Sequence, residues 1–151
     1  MTTTALASLR LEKQIDATPE DVYAAWVEPE LLARWFAPGA MRAEVHELDA
    51  RVGGHFRVTM HESDSDKKHT AFGEFVELDR PNRIAMTWNW ETDNGVRDTL
   101  LTASFTPANG GTLVELLHEK LPSQDSADSH TKGWTGCLDN LAARIASFKI
   151  Q

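Results

Sequence analysis

Residues 83–90 read Arg-Ile-Ala-Met-Thr-Trp-Asn-Trp. Ile84, Met86, Trp88 and Trp90 share one parity, and Ala85, Thr87 and Asn89 the other. A period of two marks a β-strand with one apolar face. Two indoles on that face either fill a core or line a concave surface that can hold an apolar molecule. The same alternation recurs on both sides. Downstream, residues 96–106 turn Leu101, Ala103 and Phe105 inward, and residues 112–119 turn Val114, Leu116 and His118 inward. Asn94-Gly95 and Asn109-Gly110-Gly111 supply turns between these strands. Upstream, Phe56, Val58 and Met60 oppose His55, Arg57, Thr59 and His61 across residues 55–61. Residues 41–48 form another strand, and Gly53-Gly54 is a bend or bulge. Residues 69–79 also read as a strand, but Phe72 and Phe75 have opposite parity, which a bulge near Gly73 would reconcile.

The ends of the chain differ from this middle. Residues 6–15 form a first strand with Leu9, Leu11 and Ile15 on one side, and the Lys13 stem covers apolar surface while its head reaches water. Thr18-Pro19-Glu20-Asp21 starts a short helix, with Thr18 as cap, Pro19 at the first helical position and two acids at the positive end. Pro29 begins a second short helix carrying Leu31, Leu32, Trp35 and Phe36, which Pro38-Gly39 ends. The polar stretch 122–129 reads as a connection. A long C-terminal helix follows, with Trp134, Leu138, Leu141, Ile145 and Phe148 as its buried stripe. Gly133 and Gly136 each cost this helix about 1 kcal/mol relative to Ala, so they point to a close approach of its backbone to another element or a ligand. The order is strand, two short helices, six strands and one long helix. This is an α+β domain whose antiparallel sheet needs its apolar face covered by that helix.

Bulk properties narrow the function. A chain of 151 residues fits a single domain over 1–151 and is long enough for a real core. Its net charge of −8 argues against nucleic acid and against a basic patch docking on anionic membranes. One cysteine, Cys137, excludes an internal disulfide and suits a reducing, cytoplasmic setting. No secretion signal or span of about 20 apolar residues is visible.

Several segments together resemble the SRPBCC superfamily (START-like, birch-pollen-allergen-like), and within it the family named after the activator of the ninety-kilodalton heat-shock protein ATPase. They are Ile15-Asp16-Ala17-Thr18-Pro19-Glu20-Asp21-Val22-Tyr23, Trp35-Phe36-Ala37-Pro38-Gly39, Val52-Gly53-Gly54-His55-Phe56, Gly73 to Leu78, Pro81-Asn82-Arg83-Ile84 with Thr87-Trp88, Gly111-Thr112, His118, and His130-Thr131-Lys132-Gly133-Trp134. The resemblance implies a helix-grip fold, a curved antiparallel sheet wrapped around the C-terminal helix, with a hydrophobic cavity between them. It implies no shared reaction. Its name comes from co-chaperones with an additional domain. A chaperone partner therefore ranks behind a small hydrophobic or amphipathic molecule, and the superfamily also allows a homodimer.

The expected site comprises Phe56, Val58, Met60, Trp88, Trp90, Phe105, His118, His130, Trp134, Leu138 and Leu141, with Trp35 and Phe36 near the entrance. His118 and His130 could meet at one end of the cavity. There they would serve as a general base, or else hydrogen-bond the backbone and hold the helix start; the second reading carries more weight because catalysis needs a partner geometry. His55, His61 and His69 lack HxxxH spacing, so no metal is expected. His46 has no evident role. Cys137 reads as a small apolar filler. No phosphate-loop, dinucleotide or GxSxG pattern occurs, so no cofactor is expected and an enzyme of cyclase, isomerase or hydrolase type ranks second.

Overall fold

The computed structural model describes residues 6–91 and 97–148. Its elements are β1 (Ala7–Ile15), α1 (Pro19–Val27), α2 (Pro29–Leu32), β2 (Arg42–Leu48), β3 (His55–His61), β4 (Lys68–Asp79), β5 (Arg83–Trp90), β6 (Thr99–Ala108), β7 (Gly111–Leu121) and α3 (Gln124–Arg144), which ends in a 3-10 turn, Ile145–Phe148. The strands form one antiparallel sheet in the order β1-β7-β6-β5-β4-β3-β2. β2 to β7 follow each other as neighbours, and only β1 crosses over, to pair with β7. α3 lies across the concave face, so the molecule is the curved-sheet, α+β helix-grip architecture expected. The Asn94-Gly95 turn falls outside the described residues.

The parities of β1, β3, β5, β6 and β7 follow the sequence pattern. Leu9, Ile15, Phe56, Val58, Leu101, Phe105, Val114, Leu116 and His118 are all buried. Lys13 reaches over the sheet edge and pairs with Asp139 of α3 at 2.8 Å. Thr18 Oγ1 accepts from the Asp21 amide at 3.2 Å and caps α1.

Three elements depart from expectation. In β4, Ala71, Gly73 and Phe75 face inward while Phe72 is only part-buried on the outer side. The register with β3 is continuous through Gly73, and the irregularity against β5 lies between Phe75 and Glu77. No bulge is needed at Gly73. That glycine is required for another reason: a Cβ there would come within 1.9 Å of the Thr87 carbonyl oxygen and 2.8 Å of the Phe56 ring. Second, α2 is a single turn ending at Leu32, and Trp35 and Phe36 follow in a run of turns. Trp35 Nε1 anchors this run by donating to the Ala25 carbonyl at 3.0 Å. Third, residues 124–129 are helix rather than connection. Ser123 Oγ caps the Ser126 amide at 3.1 Å, and Asp125 in the first turn favours the positive end. The polar side chains of this turn hide a helix whose buried contact there is Ala127.

Gly136 and Gly133 have different roles. A Cβ on Gly136 would lie 2.8 Å from Pro38 Cβ, so the glycine admits the Pro38-Gly39 segment against α3. Asn140 Nδ2 fastens that segment by donating to the carbonyls of Ala37 and Gly39 at 2.7 and 3.0 Å. A Cβ on Gly133 would meet nothing within 4 Å.

Candidate functional site

The space above Gly133 is part of a cavity of about 600 Å³ between the sheet and the first half of α3. The strands contribute Met60, His69, Trp88 and Trp90. The helix contributes Ser129, His130, Gly133, Trp134 and Cys137, and the segment before β2 contributes Pro38 and Met41. Of the residues expected from sequence, Met60, Trp88, Trp90, His130 and Trp134 lie in this wall. Trp35, Phe36, Phe56, Val58, Phe105, Leu138 and Leu141 lie in the packed core beside it, and His118 is fully buried next to them.

The reason for the division is an aromatic cluster that closes one end of the helix grip. Trp26, Trp35 and Phe36 meet with ring centroids 5.0–5.8 Å apart, and Phe36 continues to Trp88 and Trp134 at 5.8 and 5.6 Å. Trp88 and Trp134, 4.9 Å apart, form the boundary: each has one side toward the cluster and contributes to the cavity wall. The open end was less legible. Pro38, Met41, His69, Ser129, Gly133 and Cys137 were not among the expected residues. Ser129, Gly133 and Cys137 follow each other at one-turn spacing, a signal that became available only with the helix starting at Gln124. His69 sits opposite Met60 in the β3–β4 register and so shares its inward side.

Two histidines meet at this boundary, their rings 5.0 Å apart. Their hydrogen bonds fix both tautomers. Thr99 Oγ1 donates its only proton to the Trp88 carbonyl at 2.6 Å, so the 2.8 Å contact between Thr99 Oγ1 and His118 is donated by His118 Nε2. His118 Nδ1 is then the acceptor, and Trp134 Nε1 donates to it at 3.1 Å. His130 has the opposite arrangement. Trp90 Nε1 donates to His130 Nε2 at 3.0 Å, leaving His130 Nδ1 to donate to the Ser126 carbonyl at 2.7 Å. In each imidazole one indole N–H caps the nitrogen that accepts. Burial, reinforced by the neighbouring His130, pushes the His118 pKa down to about 3. Burial pushes the Cys137 thiol up to about 12, so it is a thiol rather than a nucleophilic thiolate at neutral pH.

The remaining histidines face acids that their sequence neighbours did not reveal. His69 Nε2 and Glu62 Oε2 lie 2.8 Å apart at the cavity rim, and this bond, helped by Ser65, lowers the Glu62 pKa. On the outer face His61 meets Glu44 at 2.8 Å, and His55 approaches Glu74 at 3.9 Å. His46 Nε2 and Thr59 Oγ1 are 2.7 Å apart, in a chain that continues to Thr70. No group of three or more metal-ligating side chains comes together among the described residues.

A family model described as Activator of Hsp90 ATPase homolog 1-like protein matches residues 16–146. The chain belongs to this family. Solved structures similar to this member of the Activator of Hsp90 ATPase homolog 1-like family include a protein from Chromobacterium violaceum, with 30% identity, a TM-score of 0.85, and coverage of 91% of this chain and 96% of that one. The AHSA1 protein of Silicibacter pomeroyi is similar at 25% identity with a TM-score of 0.81, covering 95% of this chain and all of the other. An AHSA1-like protein from Aeromonas hydrophila shares the fold at 24% identity and a TM-score of 0.76, with 93% of each chain covered. No curated protein matches the chain. No helix among the described residues is long and apolar enough to cross a membrane.

Proposed function

We propose that this protein binds a small, largely apolar molecule in the cavity between β3–β5 and the first half of α3. The observation that carries the reading is an open space of about 600 Å³ walled by three indoles and two methionines, with a few polar groups at its margin. That volume is in the range of small-molecule sites, and such walls supply affinity while isolated polar groups orient the guest. No Lys or Arg among the described residues lines the space, which disfavours a carboxylate-bearing guest and favours a neutral one. The capped imidazoles support binding over acid–base turnover, because a general base needs a free lone pair within reach of the substrate. The family's description suggests a chaperone partner, but the cavity itself favours the small molecule.

Gly133 provides the test. A leucine there enters the cavity without a backbone clash and removes the helix penalty of glycine. Uptake of the neutral fluorophore N-phenyl-1-naphthylamine is expected to be saturable with the native protein. In Gly133→Leu it is expected to weaken at least tenfold while the melting temperature is kept or raised. Equal uptake by a well-folded Gly133→Leu protein overturns the assignment.

A further inference from the structure

On the other side of the Ala37–Met41 segment from the cavity lies a depression of about 430 Å³ that is lined by three arginines, Arg34, Arg42 and Arg144, and, among the described residues, by no acidic one. This is unusual for a chain of net charge −8. Arg10, Arg51, Arg57, Arg80 and Arg83 each face a carboxylate. Arg34, Arg42 and Arg144 make no ion pair within 4.0 Å among the described residues, although the charge of Arg42 helps to lower the pKa of Glu44, and all three line the same depression. Glu44, two residues along β2 from Arg42, is engaged by His61.

Two of these guanidiniums are held in place by the backbone. Arg144 Nη1 donates to the Arg34 carbonyl at 2.8 Å, and Arg34 Nη1 to the Ser147 carbonyl at 3.4 Å. The Arg34 guanidinium also lies over the Phe148 ring, 5.7 Å from its centroid. A guanidinium has five N–H donors, so one bond to a carbonyl leaves most of its fork available. Glu44 feels the charge of Arg42 but is bonded to His61, and acids farther away act weakly here, because physiological salt screens charges beyond about 8 Å.

We infer that this depression is a second binding site, whose ligand is a small phosphorylated molecule. Three positive charges, two of them held by backbone carbonyls, match a multiply charged oxyanion with several acceptor oxygens better than a single carboxylate, and arginine forks bind phosphoryl oxygens in pairs. The site is independent of the proposed cavity ligand.

Titration calorimetry at constant ionic strength, with inorganic phosphate, pyrophosphate, citrate and chloride as probes, tests it. Pyrophosphate is expected to bind at one saturable site, more tightly than phosphate and far more tightly than citrate or chloride. Arg42 makes no side-chain hydrogen bond among the described residues, so Arg42→Gln is expected to fold normally and to weaken pyrophosphate binding at least tenfold. Arg34→Lys keeps the charge but loses the fork, and is expected to weaken it several-fold. Gly133→Leu is expected to leave it unchanged, which separates this site from the cavity. Heats that do not saturate, binding of citrate equal to that of pyrophosphate, or full affinity in a folded Arg42→Gln protein would each overturn the proposal.

Discussion

At the scale of the residue, the decisive side chains are the two imidazoles and the indoles that cap them. His118 and His130 stand 5.0 Å apart in opposite tautomers, and each lone pair is taken by a tryptophan N–H. Long-range nitrogen–proton NMR spectra are therefore expected to show an Nε2–H pattern for His118 and an Nδ1–H pattern for His130 at neutral pH; the same tautomer for both would contradict the network. A linkage effect follows from the His118 pKa of about 3, against an ordinary value of 6.5. Between those values the unfolded chain carries a proton that the folded chain does not. The stability that neutral His118 contributes is thus complete above pH 6.5 and is lost as the pH falls toward 3, with a slope of at most about 1.4 kcal/mol per pH unit. Urea unfolding between pH 7 and pH 5 is expected to show this loss. His118→Gln keeps a donor and an acceptor but not the titration, and its unfolding is expected to depend less steeply on pH. Identical slopes for the two proteins would remove His118 as the cause.

At the scale of the element, α3 puts two glycines one turn apart to opposite use. At Gly133 an added methyl meets open space, so Gly133→Ala is expected to gain up to about 1 kcal/mol from helix propensity. At Gly136 the same methyl meets Pro38 Cβ at 2.8 Å. Overpacking of about 1–3 kcal/mol outweighs the propensity gain there, and Gly136→Ala is expected to be destabilised by about 1 kcal/mol net. Thermal unfolding of the two variants checks the signs. What could be read in the sequence follows the same divide. β5 was legible because alternating Ile84, Met86, Trp88 and Trp90 leave one parity, and the α3 stripe because Trp134, Leu138 and Leu141 recur at helical spacing. The first turns of α3 were not, because Ser123 and Asp125 are cap and dipole residues that resemble a loop when no apolar period accompanies them. The site was legible only as a face. Parity places Phe56, Val58 and Met60 on one side of β3, but only cross-strand register and the position of the Trp26–Trp35–Phe36 cluster decide that Met60 borders open space while Phe56 and Val58 are packed.

At the scale of the whole molecule, the two halves of the helix grip are held unequally. The second half of α3 is tied down by the Lys13–Asp139 ion pair, the Asn140 bonds to Ala37 and Gly39, the Arg144 bond to Arg34, and the buried Leu138 and Leu141. The first half rests on Ala127 and the His130–Trp90 bond, with the buried Trp134 and its bond to His118 only at its end, and it roofs the cavity. Local opening has the lowest free energy where buried apolar contact is least, so under the proposed function this half is where a guest would enter. Hydrogen exchange is expected to be faster for amides of residues 127–133 than for 137–144. A molecule bound in the cavity stabilises only the conformations that hold it, by about 2.7 kcal/mol at a hundredfold excess over its dissociation constant. N-phenyl-1-naphthylamine at that excess is therefore expected to slow exchange up to about a hundredfold in 127–133 and across the β3–β4 hairpin, while β1 and β7 are unchanged. Uniform slowing over the whole sheet would mean that the guest stabilises the fold globally, and unchanged exchange in 127–133 would mean that the first half of α3 is not the way in.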